Sequence, residues 1–227
     1  MKNDANQRNL IIKSTPDGSY TIHNSLLNES YHSEFGALTE SNYVYIENGL
    51  ATIHKEKIHV FEMGFGTGLN AFLIWRHAQE NNTIIHYTGI EKFPVSPDFL
   101  PIPSFIQNNI EQVIAWNKIQ QSEWNKVLSL DKTFTLCKQH AGILDYQHNA
   151  LPYDIIFYDA FAPSVQPELW TEEVFTSLFN ALNPEGILVT YSSAGRVKRA
   201  LVSAGFTLQR LSGPPGKKHM LRAIKKL

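Results

Sequence analysis

Three glycines at alternate positions, Gly64, Gly66 and Gly68, lie within Phe61-Glu62-Met63-Gly64-Phe65-Gly66-Thr67-Gly68-Leu69-Asn70. Glycine permits positive φ and carries no Cβ, so such a run lets a ligand rest against the backbone. Before it, Lys57-Ile58-His59-Val60-Phe61 alternates as a buried strand does. After it, Leu69 to Trp75 opens a helix with a broad apolar face, whose first turn presents free N–H groups. The spacing is Gly-x-Gly-x-Gly and not the Gly-x-Gly-x-x-Gly of dinucleotide folds. A second strand, Ile84 to Ile90, ends in Glu91, 23 positions beyond Gly68. A carboxylate there can hold a ribose diol. Alone, Glu91 reads equally as a solvated loop carboxylate; with the glycines it points to an adenosine-containing cofactor.

A second chemical stretch follows a third and a fourth strand, Lys132–Lys138 and Tyr153–Tyr158. The latter is nearly continuous in apolar residues, as a buried parallel strand should be. It runs into Asp159-Ala160-Phe161-Ala162-Pro163: a carboxylate, an aromatic face and a rigid turn. Open α/β sheets bind ligands at the carboxyl ends of their strands, so Asp159 should share the crevice of the glycine turn. The alternative is a structural acid that caps the next helix, with Gln166-Pro167-Glu168-Leu169-Trp170-Thr171 setting the turn.

The elements that would position these residues follow from pattern. Residues 9–24 alternate around Pro16-Asp17-Gly18, which predicts a hairpin. The polar and aromatic stretch 29–41 suits a surface loop or a lid, and Tyr43–Ile46 suits a strand or a helix start. Helices are predicted around 104–116 and 120–129, with Trp116 and Trp124 as core or cover, then over Pro167–Leu182 and Ala194–Ala204. A fifth strand, Ile187–Tyr191, and a closing strand pair near 206–211 and 219–225 complete the chain. Alternating β and α elements imply a mostly parallel, Rossmann-like sheet of seven strands, covered on both faces, with an edge hairpin. Residues 1–50 form an amino-terminal hairpin and lid-like extension; residues 51–227 form the main domain.

At 227 residues, the length suits one domain with a small appendage, and 43% apolar residues suit a globular core. Cys137 is the only cysteine, which excludes an internal disulfide and a multi-cysteine metal site, and no metal is expected. The first twenty residues carry no export signal and no run reaches membrane-spanning length, so a cytoplasmic protein without a membrane partner is expected. Net charge is −1, yet residues 196–227 hold nine Lys or Arg and no Asp or Glu. Such a face can neutralise phosphates, or it is a solvated helix and tail.

The chain closely resembles the S-adenosylmethionine-dependent methyltransferases that complete 5-methylaminomethyl-2-thiouridine at the tRNA wobble position, found as the amino-terminal half of MnmC and as the stand-alone MnmD type. The matching stretches are Tyr31-His32-Ser33 with Gly36-Ala37 and Glu40-Ser41, the glycine turn from Glu62 to Asn70, Glu91-Lys92-Phe93-Pro94, and Asp159 to Pro163. Pro167 to Thr171, Thr190 to Arg199 and Gly216 to Leu221 continue the match. They span residues 30–221. No oxidase half is present, so the resemblance is to the stand-alone form, to which a separate oxidase would supply the aminomethyl substrate. One departure is Gly142, where the family offers an acid to the adenine amino group; Asp145 or a backbone group is left to substitute.

The resemblance implies S-adenosyl-L-methionine held by Glu62, Gly64, Phe65, Gly66, Thr67, Gly68, Asn70, Glu91, Lys92 and Asp159. It implies an in-line displacement by a primary amine on a uridine side chain, in which most of the catalysis is positioning. Asp159 would chiefly orient the amine by hydrogen bonding, either without or together with taking its proton, and Phe161 would flank the base or the methyl group. Tyr31 and Tyr191 would line the pocket, and Lys217 and Lys218 would meet phosphates of the tRNA anticodon stem-loop. A small-molecule amine transferase of the same fold, methyl or aminopropyl, is the alternative. The basic carboxyl end argues against a polyamine substrate.

Overall fold

A computed structural model describes residues 9–148 and 151–226; residues 1–8 of the expected amino-terminal extension lie outside it. Strands β1 (Leu10–Ser14) and β2 (Tyr20–Asn24) form the expected hairpin, with Leu10 opposite Asn24 and Ser14 opposite Tyr20. A third short strand, β3 (Glu29–Ser30), extends this sheet from within the stretch that pattern left open. The chain then enters α1 (Ala37–Ser41), which continues through Asn42–Glu47 as a wider turn closed by Asn48 N–H donating to Tyr43 O at 3.1 Å. Tyr43–Ile46 is therefore helical.

Asp17 ties the hairpin turn to α1. One carboxylate oxygen accepts from Thr15 Oγ1 and Ser19 Oγ at 2.8 and 2.6 Å, and the other from Thr39 N and Thr39 Oγ1, both at 2.8 Å. Burial would raise the pKa of this carboxyl, but the hydrogen bonds from Ser19, Thr39 and Thr15 outweigh it and hold it at about 2. A depressed carboxyl pKa contributes stability that is full above the unfolded value and is lost as pH falls through the folded one. Asp17→Ala is expected to cost about 1–2 kcal/mol, the usual size of a lost helix cap. Urea unfolding at pH 7 and pH 2.5 should show the loss at the higher pH and much less of it at the lower.

The main sheet contains β4 (Lys57–Met63), β5 (Ile84–Glu91), β6 (Lys126–Ser129), β7 (Phe134–His140), β8 (Tyr153–Tyr158), β9 (Leu182–Thr190), β10 (Thr207–Ser212) and β11 (His219–Ile224), in the order β10-β11-β9-β8-β4-β5-β7-β6. Strands β7, β5, β4, β8 and β9 run parallel; β11 lies antiparallel between β9 and β10, and β6 pairs antiparallel with β7. Eight strands replace the seven expected. The helix read over 120–129 is instead the end of α3 (Ile110–Gln121) followed by β6. Asn125 takes φ +62° between them. Asp131 accepts from Thr133 N and Phe134 N at 2.8 and 3.0 Å and so turns the chain back into β7. Strand β9 starts five residues earlier than read, because a register shift against β8 between Tyr153 and Ile155 absorbs Asn183–Gly186.

Helices α2 (Leu69–Asn81) and α3 pack on one face of the sheet around Phe72, Trp116 and Phe157; α4 (Glu172–Ala181) and α5 (Gly195–Ser203) pack on the other around Trp170, Phe175 and Leu201. Thr171 caps α4 by accepting from Val174 N, so the helix expected from Pro167 begins only after a short turn at Pro167–Leu169. Tyr20, Ala37, Val44, Tyr45 and Leu50 belong to the same core as Phe72. The amino-terminal segment is thus packed against the α2 face, and its next residues are carried over the ends of β4 and β8. Among the described residues, no helix is long and apolar enough to cross a membrane.

Candidate active site

The glycine turn joins β4 to α2 with φ of +91°, +54° and +74° at Gly64, Gly66 and Gly68, a region that side chains with a Cβ rarely enter. At Gly64 the requirement is also steric. A Cβ there would lie 2.4 Å from the backbone oxygen of Asp159, while Asp159 N donates to Met63 O at 3.0 Å. The ends of β4 and β8 are therefore in backbone contact, and this brings the two chemical stretches of the sequence together.

Between them opens a cavity of about 400 Å³, within the range of small-molecule sites. Its walls include Gly64, Gly66, Glu91, Lys92, Asp159 and Phe161, all singled out from sequence. Leu10, Asn24, Leu27, Tyr31 and His32 line it from the amino-terminal segment, the last two from the stretch 29–41. Tyr31 is fixed by its N–H donating to Ile22 O at 2.8 Å; its ring meets Phe161 edge-on at 5.0 Å between centroids. Glu91 accepts from Gly66 N at 3.1 Å and Phe93 N at 2.8 Å. Burial raises the pKa of its carboxyl and these backbone donors oppose the rise. Gly142 and Asp145 both lie in the wall beyond β7, with the Lys92 side chain against Gly142.

Asp159 lines the same cavity, its side chain 9% exposed. Burial pushes its carboxyl up to about 7; the Tyr45 hydroxyl, Lys217 and Asn70 oppose this and Glu40 adds to it. Asn70 Nδ2 donates to Asp159 Oδ2 at 3.0 Å and to Glu62 Oε1 at 2.6 Å. The Tyr45 hydroxyl faces Asp159 but falls short of hydrogen-bond geometry.

Several residues expected to touch a ligand stand behind those that line the cavity. Glu62 is fully buried between Asn70 Nδ2 and the Tyr87 hydroxyl; burial, then the charge of Asp159, raises its pKa well above the usual carboxylate range. It positions Asn70 and does not line the cavity. Phe65 packs into the core against Tyr87 and Trp124, Gly68 opens α2, and Thr67 O accepts from Gln120 Nε2 at 2.9 Å. Tyr191 donates its hydroxyl to Ala160 O at 2.8 Å and lies under the Lys217 ammonium, 3.9 Å from ring centroid to nitrogen. Lys217, expected at a phosphate, is instead held by the buried carboxylate of Glu40. Lys218 is exposed beside it. Arg222 and Lys225 also bond backbone carbonyls, of Asn48 and Leu182, while Arg196, Arg199 and Arg210 remain exposed.

The sequence reading gave His32 no role, yet it lines the cavity. Its Nε2 is 3.1 Å from Thr67 Oγ1 and its Nδ1 is 4.0 Å from Asp159 Oδ2. Burial lowers the imidazole pKa to about 4, so the ring is neutral at pH 7. Its signal was its place between Tyr31 and Ser33 in a polar segment that pattern could not assign. Glu40 was equally silent, as one acid in a mixed loop.

The profile of a family described as S-adenosyl-L-methionine-dependent methyltransferases matches residues 104–226. The chain is 31% identical over 221 residues to the tRNA 5-methylaminomethyl-2-thiouridine biosynthesis bifunctional protein MnmC of Burkholderia thailandensis, with 88% of this chain and 33% of that protein covered. It therefore spans about a third of that relative's length. Its fold matches the crystal structure of MNMC2 from Aquifex aeolicus with a TM-score of 0.74 at 24% identity, over 96% of this chain and 70% of that one. Spermidine synthase from Thermotoga maritima shares the fold less closely, with a TM-score of 0.55 at 14% identity, over 96% and 69% of the two chains. With more than half of its length matched by the family profile, this chain belongs to the S-adenosyl-L-methionine-dependent methyltransferases.

Proposed function

We propose that the protein transfers a methyl group from S-adenosyl-L-methionine to the primary amine of 5-aminomethyl-(2-thio)uridine at the tRNA wobble position, giving 5-methylaminomethyl-(2-thio)uridine. The observation that carries this reading is the buried Asp159 carboxylate, which lines the cavity together with the edge-to-face pair of Tyr31 and Phe161. A carboxylate in an aromatic enclosure suits an amine carried on a planar base. The bifunctional relative, matched over most of this chain, supports the tRNA substrate.

The cavity fits the cofactor. Its glycine turn has no room for a Cβ at Gly64, and an acid closes the second parallel strand. Gly64 and Gly66 offer backbone against the ligand, Glu91 a carboxylate for the ribose diol, and Asp145 an acid for the adenine amino group in place of Gly142. Lys92 borders the same wall. The cofactor supplies a methyl group on a sulfonium, an electrophile that needs no further activation. The residues of the chain then position the nucleophile and manage its proton. Asp159 accepts an N–H of the neutral amine and afterwards takes the proton, for which a carboxylate raised to about 7 is a better base than an ordinary one. Phe161 and Tyr31 flank the base, and Asn70, held by Glu62, fixes the carboxylate.

In the same reading the extension of residues 1–50 acts as the lid and residues 51–227 as the catalytic body. Lys218 and the exposed arginines, rather than Lys217, meet the anticodon-stem phosphates. A cytoplasmic site of action and a separate oxidase that delivers the amine belong to the same reading. Purified protein, radiolabelled S-adenosylmethionine and tRNA from cells blocked before the final methylation provide the test. Label is expected in 5-methylaminomethyl-2-thiouridine after nucleoside analysis. Label confined to small amines would replace the tRNA substrate with the small-molecule alternative.

A further inference from the structure

His32 and Asp159 face one another across a gap that neither fills. Nδ1 and Oδ2 stand 4.0 Å apart, too far for a direct hydrogen bond, and both side chains are under a tenth exposed. The imidazole is held from both sheets. On the small sheet, its backbone N–H donates to Thr21 Oγ1 at 2.8 Å and its carbonyl accepts from the same hydroxyl at 3.0 Å. On the main sheet, Nε2 meets Thr67 Oγ1 in the glycine turn at 3.1 Å. A neutral imidazole has one N–H and one bare nitrogen. We assign the tautomer in which Nε2–H donates to Thr67 Oγ1; Nδ1 is then an acceptor 4.0 Å from Asp159 Oδ2, which as a carboxylate is also an acceptor only. Two buried acceptors at this separation are best satisfied by a molecule with two N–H donors on one atom.

We propose that His32 Nδ1 and the Asp159 carboxylate each accept one N–H of the neutral primary amine, so that the site counts the amine's hydrogens and stops after one methyl group. The inference rests on the amine-methylation reading above and adds to it the reason for a single transfer. With both N–H bonds engaged, the nitrogen lone pair is the one direction left free, and it points away from the two acceptors. That lone pair forms the new N–C bond while the C–S bond breaks and its electrons stay on sulfur. The nitrogen, now cationic, passes one proton to the Asp159 carboxylate. For a second transfer the neutral product would have to turn its lone pair back toward the methyl donor, and its single N–H would then leave one of the two buried acceptors facing the methyl group without a partner. A site built to bond two hydrogens discriminates strongly against an amine that has one.

The test compares anticodon stem-loops bearing either the aminomethyl or the methylaminomethyl group at the target uridine. Equilibrium binding without cofactor is measured first, and product mass with excess cofactor second. The wild-type protein is expected to bind the primary amine at least about tenfold more tightly and to release only monomethyl product. His32→Leu should collapse this preference to near unity and yield dimethylated product. His32→Gln, which restores a carbonyl acceptor, should recover part of the preference, a rescue that general loosening of the fold would not produce. Equal wild-type affinity for the two stem-loops overturns the proposal without any variant, and so does an unchanged preference in a folded His32→Leu protein. A wild-type protein that neither binds nor methylates either stem-loop overturns the tRNA reading instead.

Discussion

Asp159→Asn is expected to cut methyl transfer by about 10²–10⁴-fold, the usual contribution of a positioned acid or base, while making the folded protein more stable at pH 8. Both effects have one cause. The carboxyl is held up at about 7 mainly by burial, against an ordinary value of 3.8. A raised carboxyl pKa means that the native state binds the proton more tightly than the unfolded chain, so stability falls as pH rises between about 4 and 7. Above that window the ionised side chain costs on the order of 2–4 kcal/mol. Asparagine keeps an oxygen for Asn70 and removes the charge, so urea unfolding at pH 8 should show a gain of that order and at pH 4 almost none. In the wild type, kcat/KM should rise through about pH 7 as the carboxylate forms, and in the variant this limb should vanish. Near-normal turnover in Asp159→Asn would remove the carboxylate from the mechanism.

Gly64→Ala should be nearly as damaging, although it changes no polar group. The residue holds φ +91°, and a Cβ would stand 2.4 Å from the Asp159 backbone oxygen. Because the opposing atom is main chain, the end of β8 would have to shift bodily. Strain and overpacking together are expected to cost about 3 kcal/mol. A shift of about 1 Å at Asp159 would lower turnover about 100-fold even in molecules that fold. Thermal unfolding and single-turnover rates separate the two effects. Gly195→Ala is the control: its added Cβ would meet nothing closer than the Arg199 side chain at 3.5 Å, and both measurements should stay near wild type. A Gly64→Ala protein of normal stability and rate would show that the contact between the two loops yields without cost.

The parts of this fold legible in the sequence were those where one local pattern sufficed. The glycine turn, the apolar run of β8 and the hairpin around Asp17 each declare themselves within about ten residues. The two chemical stretches also met as expected, because parallel strands bring their carboxyl ends to one edge of the sheet. What pattern could not supply was depth. Glu62, Phe65 and Thr67 belong to the same motif as Gly64 and Gly66, yet the alternation of a strand and the first turn of a helix point them inward. A motif names its residues without saying which of them face the ligand. The ion pair of Lys217 was hidden for a different reason: a lysine in a basic stretch looks free until its partner, Glu40, arrives from far away in the sequence. Strand β6 was missed because four residues, Lys126–Ser129, are too short to carry a period, and their pairing depends on the turn that Asp131 makes afterwards.

The ion pair between Glu40 and Lys217 spans 177 positions, and β11, which follows the other described strands in sequence, is inserted between β9 and β10. Synthesis therefore delivers the glycine turn and Asp159 well before the segment that anchors Glu40, and behind it the wall carrying His32. Until β11 emerges, β9 is an open edge and the cavity lacks part of its support. The candidate site is thus ordered in time as well as in space: a chain synthesised only as far as β9 carries the Asp159 carboxylate without Lys217, and Glu40 gains this anchor only when the hairpin of β10 and β11 docks.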